Sequence, residues 1–296
     1  MMLKLQNVSK TFNPGTVNEK KALSNVNLHL NEGDFVTILG SNGAGKSTLF
    51  HAIAGSFPID SGTIRLDDKN ITSQPDYKRS KFIGRLFQDP LRGTAPSMTI
   101  EENLALAYMR ASSATSPFSV ISKKDRAGFR DRLAMLDLGL EDRMSHPVGL
   151  LSGGQRQALT LLMATLVTPK LLLLDGHTAA LDPATAEKVL TLTKQIVKDN
   201  NITCLMITHN IPSALELGNR TIMMNDGKIV LELEGETRKN LTTPQLLDLF
   251  KEHASHSLET DRILFSAEKK NSRIAIAIRE FLFTDGAFSG NTVFLL

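Results

Sequence analysis

The sequence has no tryptophan, two tyrosines and a single cysteine in 296 residues. One cysteine, Cys204, excludes an intramolecular disulfide framework and any multi-cysteine zinc site. It sits in the apolar run Ile202–Ile207, which predicts a buried packing role. Long apolar runs are missing too. Leu171–Leu174 and Ile274–Ile278 are strand-sized, far short of the roughly 20 apolar residues that span a bilayer. The N-terminal stretch MMLKLQNVSKTF lacks the apolar core of a secretory signal. These absences predict a cytoplasmic chain that reaches a membrane only through another chain. An excess of either charge is also lacking: 34 Lys and Arg against 31 Asp and Glu leave +3. That balance argues against a dedicated polyanion binder, so no nucleic-acid partner is expected.

What is present is an alternation of short apolar runs and helical patterns, the mark of an α/β fold. Phe35–Leu39 reads as a strand, Lys46–Ala54 as a helix and Thr63–Leu66 as a strand. Thr99 and Glu102 form a capping box that starts a helix running to about Arg110. Residues 111–122, rich in Ser, Thr and Ala, predict a surface loop. Lys123 to about Leu138 and Gly153–Val167 predict helices, the first with Phe129, Leu133 and Leu136 on one side. Leu171–Leu174 and Ile202–Ile207 are apolar on both faces, as central parallel strands are. Pro183 opens a helix. Thr221–Met224 and Ile229–Leu233 flank a hairpin turn at Asn225, Asp226, Gly227 and Lys228. Thr243 and Pro244 start a last short helix.

Three motifs carry chemistry. Gly40, Ser41, Asn42, Gly43, Ala44, Gly45, Lys46 and Ser47 fit the phosphate-binding loop pattern, with Thr48 following. Glycines let backbone N–H groups curl around phosphate oxygens, and the next helix points its positive end at the same anion. Lys46 reaches the terminal phosphates and Ser47 holds Mg²⁺ through its hydroxyl. The second motif, Leu151, Ser152, Gly153, Gly154 and Gln155, is a serine-capped helix start that also suits a phosphate. In the third, Leu171–Leu174 ends in Asp175, a carboxylate at the C-terminal edge of a buried strand, where Mg²⁺ is oriented.

In this order, with Gln88, the Ala180, Leu181, Asp182 run and His209, the motifs resemble the nucleotide-binding subunit of an ATP-binding cassette (ABC) transporter, over roughly residues 2–250. The resemblance implies an α/β fold: a P-loop NTPase cassette with a RecA-like core and an antiparallel β-subdomain. It also implies an α-helical subdomain inserted at about 89–168. The nucleotide-binding domain would cover 1–250 and leave 251–296 as an extension of unknown role. By the same resemblance Gln88 senses Mg²⁺ and the γ-phosphate, and Asp182 communicates across a dimer. His209 contacts the γ-phosphate and Phe12 stacks on adenine. Mg-ATP would lie between the phosphate loop of one copy and Ser152–Gln155 of another, in a head-to-tail dimer. Transmembrane permease subunits would be driven, with a substrate-binding protein, on the inner face of the membrane. The run around Gln88 is similar to bacterial uptake systems. A soluble ABC-type ATPase and a non-hydrolysing regulatory subunit are the alternatives.

The sequence departs from the family twice. After Asp175 the family has a glutamate that polarises the attacking water; here the residue is Gly176. General-base contributions of about 10²–10⁴-fold predict that the chain binds Mg-ATP but hydrolyses it slowly. The glycine fits deliberate replacement, natural degeneracy or a sequence variant. Residues 273–296 form an apolar, aromatic tail, with four of the 14 Phe in the last 16 residues. A packed element, a dimer contact and non-native sequence all fit it, and part of it is expected to be poorly ordered. His177, His253 and His256 show no metal-ligand spacing.

Overall fold

The computed structural model describes residues 1–111 and 121–253. They all lie within one unit, Met1–Ala254. The tail, and most of the predicted 111–122 loop, lie outside the described residues.

In chain order the elements are β1 (Leu3–Phe12), β2 (Lys20–Leu30), β3 (Phe35–Gly40), α1 (Lys46–Ala54), β4 (Ser61–Leu66), β5 (Lys69–Asn70), α2 (Asp76–Arg79) and β6 (Ile83–Leu86). A helical stretch follows: α3 (Ile100–Ala111), α4 (Lys123–Ala134) and α5 (Gly153–Thr165). The chain then returns to the sheet through β7 (Leu171–Asp175), α6 (Pro183–Asp199), β8 (Thr203–Ile207), α7 (Ile211–Leu217), β9 (Arg220–Asn225) and β10 (Lys228–Glu234). It ends in α8 (Gly235–Lys239) and α9 (Thr243–His253).

Two sheets form. The antiparallel one runs β2-β1-β4-β5, and the larger runs β10-β9-β3-β8-β7-β6. In the larger sheet every pair is parallel except the β9–β10 hairpin. Leu171–Leu174 and Cys204–Ile207 are all buried, so these strands bury both faces, as parallel strands flanked by helices must. Burial pushes the Cys204 thiol up, which keeps it protonated and unreactive. The hairpin turns on Asp226 and Gly227, both at positive φ, as a two-residue turn matched to strand twist requires.

Leu104, Phe129, Leu133, Leu136, Leu159 and Leu162 form a separate buried cluster between β6 and β7. It is built from the helical stretch α3 to α5 and the loops around it. The predicted helix from Lys123 stops at Ala134 rather than Leu138, because Asp137 takes a left-handed φ of 53°. Leu136 is still buried there, held by the loop instead of the helix.

Strand register lines up the working ends of the sheet. Ile38 of β3 pairs with Ile207 of β8, and Ile207 pairs with Asp175 of β7. The phosphate loop, Asp175 and the segment to His209 therefore leave the sheet at the same C-terminal edge, where ligands bind in open α/β sheets.

Candidate nucleotide site

A cavity of ≈250 Å³ opens at that edge. Phe12, Asn42, Gly43, Gly45, Lys46, Ser47, Thr48, Gln88, Asp175, Gly176 and His209 line it. Sequence reasoning nominated all of them.

The loop has its glycines for steric reasons. Gly45 sits at φ 99°, and a Cβ there would lie 2.5 Å from the Ala22 carbonyl oxygen. Gly45 also caps α1 without any side-chain hydrogen bond, so the first N–H groups of the helix are not claimed by a capping side chain. Lys46 is buried, and its ammonium donates to the Gly40 and Ser41 carbonyls at 2.7 and 2.8 Å. These bonds fold the side chain back over its own loop. Ala44 N–H donates to Ser41 O at 3.2 Å and closes the turn.

Ser47 Oγ lies 3.5 Å from Asp175 Oδ1. A hydroxyl and a carboxylate at that spacing, with the Gln88 amide in the same cavity, form the all-oxygen donor set that Mg²⁺ prefers. Among the described residues no cluster of three His, Cys, Asp or Glu could hold a metal alone. Such a cation would therefore need phosphate oxygens to complete its shell.

Gly176 adopts φ 51°, the left-handed region that favours glycine. Its N–H donates to Ile207 O at 3.0 Å and its carbonyl accepts from Ala179 N–H at 2.9 Å, so the turn is held at both ends.

Ser152, Gly154 and Gln155 lie elsewhere. They line a second cavity of ≈680 Å³ with residues of α6. Ser152 Oγ accepts from Gln155 N–H at 3.3 Å and Gln155 Oε1 accepts from Ser152 N–H at 3.2 Å, a reciprocal cap on α5. Gly154 has a packing reason: a Cβ there would lie 2.0 Å from Thr185 Cγ2. Gly153 faces Leu181, whose Cδ2 would be 3.4 Å from a Cβ. Asp182 caps α6 by accepting from Thr185 N–H at 3.1 Å, and its hydrogen bonds from Thr185 hold its carboxyl below the usual value.

Two groups escaped the sequence reading. Lys20, at the start of β2, adds a second ammonium to the cavity wall. No motif marks it, because only the folding of the antiparallel sheet over the loop brings it there. His51 lies on α1, with Arg85 Nη2 at 3.2 Å from its ring nitrogens, and burial followed by Arg85 lowers its pKa.

The comparisons with known proteins agree. Residues 23–179 match the ABC transporter family. The chain belongs to that family. It is 43% identical over 250 residues to a tyrosine transport ATP-binding protein of Clostridioides difficile, covering 84% of this chain and 98% of that one. It is 35% identical over 235 residues to a phosphonates import ATP-binding protein of Lactococcus lactis, covering 78% and 92%. Among solved structures, it resembles the dimeric ATP-binding cassette MJ0796 in a post-hydrolysis state with ADP and Pi. The TM-score there is 0.68 and the identity 32%, over 79% of this chain and 98% of that one. The fold is that of an ABC cassette, with helices, a mixed core sheet and an antiparallel sheet.

Proposed function

We propose that this cassette binds Mg-ATP and drives solute import through separate membrane subunits, with slow hydrolysis because residue 176 is glycine. The observation that carries the nucleotide reading is one cavity holding Lys46, Ser47, Gln88, Asp175 and His209. Lys46 and the α1 N-terminus hold the phosphates, and Phe12 stacks on the adenine. Ser47, Asp175 and Gln88 hold Mg²⁺, which supplies charge neutralisation on the phosphate oxygens. Gln88 and His209 position the reacting end. Ser152–Gln155 of a second copy closes the site, because within one chain Ser152, Gly154 and Gln155 line a different cavity. Asp182 communicates across that dimer.

Gly176 offers no group that could take a proton from water. The step that suffers is water attack, not binding, so the ATP-closed dimer persists. The same observation favours a second reading, in which the chain is a non-hydrolysing regulatory subunit.

The solute is an amino acid of the tyrosine class, delivered by a substrate-binding protein. This rests on the relative named a tyrosine transport ATP-binding protein, nearly all of whose length this chain matches. No described helix is long and apolar enough to cross a membrane, which agrees with separate membrane subunits. The test is reconstitution of the chain with its co-purified membrane subunits in vesicles, followed by ATP turnover and tyrosine uptake. Slow but tyrosine-stimulated turnover is expected. Fast turnover with Gly176 in place would overturn the hydrolysis claim, and no uptake of any aromatic amino acid would overturn the substrate.

A further inference from the structure

The chain leaves α1 through a tight reversal. Gly55 takes φ 81°, its N–H donates to Ala52 O at 3.2 Å, and Ser56 N–H donates to His51 O at 2.9 Å. This pair of bonds is a Schellman ending, which needs a residue at ease in the left-handed region. The reversal brings Phe57 beside α1, where its ring stacks on His51 with centroids 6.2 Å apart and planes 24° from parallel.

Phe57 also meets Phe12, the last residue of β1. The two rings make a T-shaped contact, with centroids 5.2 Å apart and an interplanar angle of 83°. Lys10 Nζ lies 5.6 Å from both centroids, within the range of a cation–π contact. Asp60, three residues beyond Phe57, fixes that ammonium. Its Oδ1 accepts from Lys10 Nζ at 2.8 Å and its Oδ2 accepts from Thr11 N–H at 2.6 Å. Asp60 N–H donates in turn to Ser9 O at 3.0 Å. The segment that follows α1 therefore grips the end of β1 through backbone, carboxylate and ring.

Phe12 lines the nucleotide cavity, whereas neither Phe57 nor Lys10 is among the described residues that line it. Both thus support the Phe12 ring from outside the cavity. A half-buried Phe at a strand end has more than one staggered rotamer open to it. Loss of an aromatic pair shifts such a balance by about 2- to 12-fold. A ligand that needs one rotamer then binds more weakly, by the fraction of copies that still hold it.

We propose that Phe57 is a positioning residue for the nucleotide base: it holds Phe12 in the orientation that stacks on adenine. This rests on the adenine and phosphate-loop readings given above, and adds what keeps the two in register. His51 lies four residues beyond Ser47 on α1, so the rings of His51, Phe57 and Phe12 run unbroken from the phosphate-binding helix to the base platform.

The test is titration of the full chain with Mg-ATP and, separately, with Mg-tripolyphosphate, which has the phosphates and no base. Phe57 packs on the main core, so the variant of choice is Phe57→Leu, which keeps the apolar bulk and removes the ring. It is expected to weaken ATP about 2- to 12-fold and leave tripolyphosphate unchanged. Phe12→Ala is expected to weaken ATP about 5- to 150-fold, again without effect on tripolyphosphate. Adding Phe57→Leu to Phe12→Ala is expected to cost no further ATP affinity, because the platform is already gone. If Phe12→Ala weakens ATP and Phe57→Leu does not, the adenine reading stands and the positioning proposal falls. If Phe57→Leu weakens tripolyphosphate as much as ATP, or weakens ATP equally in the Phe12→Ala background, its effect does not pass through Phe12 and the proposal falls. If Phe12→Ala leaves ATP affinity unchanged, the adenine reading itself is wrong and the proposal falls with it.

Discussion

Gln88 lies over Gly176: a Cβ built on that glycine would sit 3.8 Å from Gln88 Cγ, in ordinary van der Waals contact. The space therefore admits a side chain, but the backbone resists one, because φ is 51°. Gly176→Glu is expected to raise turnover by about 10²–10⁴-fold with the membrane subunits present. It is also expected to lower stability by about 1–2 kcal/mol, since an L-residue strains in the left-handed region. Parallel ATPase and urea-unfolding measurements check both. A gain in turnover with no loss of stability would mean that the turn relaxes to accept the side chain.

Lys46→Ala removes the ammonium that bonds Gly40 and Ser41, and with it the only loop side chain able to reach phosphate with a positive charge. Loss of charge-assisted hydrogen bonds worth about 1.5–3 kcal/mol predicts ATP affinity reduced about 10- to 150-fold. Calorimetric titration with ATP reads this directly. Unchanged affinity would move the phosphate site off the loop.

Arg220 is a structural pivot. Its Nη1 donates to Asp34 at 2.8 Å and to His29 O at 2.9 Å, and Nη2 pairs with Glu232. The side chain is almost fully buried. Arg220→Met keeps the volume but leaves Asp34 without its cation, a loss of about 3–5 kcal/mol. Adding Asp34→Asn should recover part of that loss. Equilibrium unfolding of the two variants decides the matter, and equal stabilities would show that the pair is not coupled.

His177 gives a pH dependence. It is buried, and burial lowers its pKa to about 4 from 6.5. Its Nε2 lies 3.2 Å from Thr193 Oγ1, while the Thr193 hydroxyl donates to Val189 O at 2.8 Å, so Nε2–H is the donor and the ring is neutral. Between pH about 4 and 6.5 the unfolded chain binds the extra proton, so stability is full above 6.5 and falls as pH drops through that window. The loss across the window is about 3 kcal/mol. His177→Gln should flatten this part of the stability profile. An unchanged slope would assign the acid sensitivity to other groups.

The site was largely legible because its chemistry is local. A glycine-rich loop after an apolar strand, and an acid closing another, each announce themselves within eight residues. Lys20 and His51 were not legible, since their places depend on how one sheet folds over the other and on what α1 packs against. The first two strands escaped for a related reason. In the first, Leu3 and Leu5 alternate with polar neighbours and a register break at Asn7 precedes Val8, so no continuous run marks it. Helix ends failed where a single left-handed residue, Asp137, stopped a pattern that remained apolar to Leu136 and beyond. Gly154 reads as a ligand residue in the sequence, and the structure gives it a packing reason, because Thr185 of α6 passes too close to admit a methyl group.

Keeping Ser152 and Lys46 in separate cavities has a consequence for dosage. With the head-to-tail pairing proposed above, one copy would hold two unlike halves and no whole, so complete nucleotide sites would rise with the square of copy number when copies are scarce. A cell that makes half as much of this chain would then lose more than half of its closed assemblies. In a mixture, a copy damaged only at Ser152 would spoil the site of an intact neighbour while leaving its own phosphate loop able to serve.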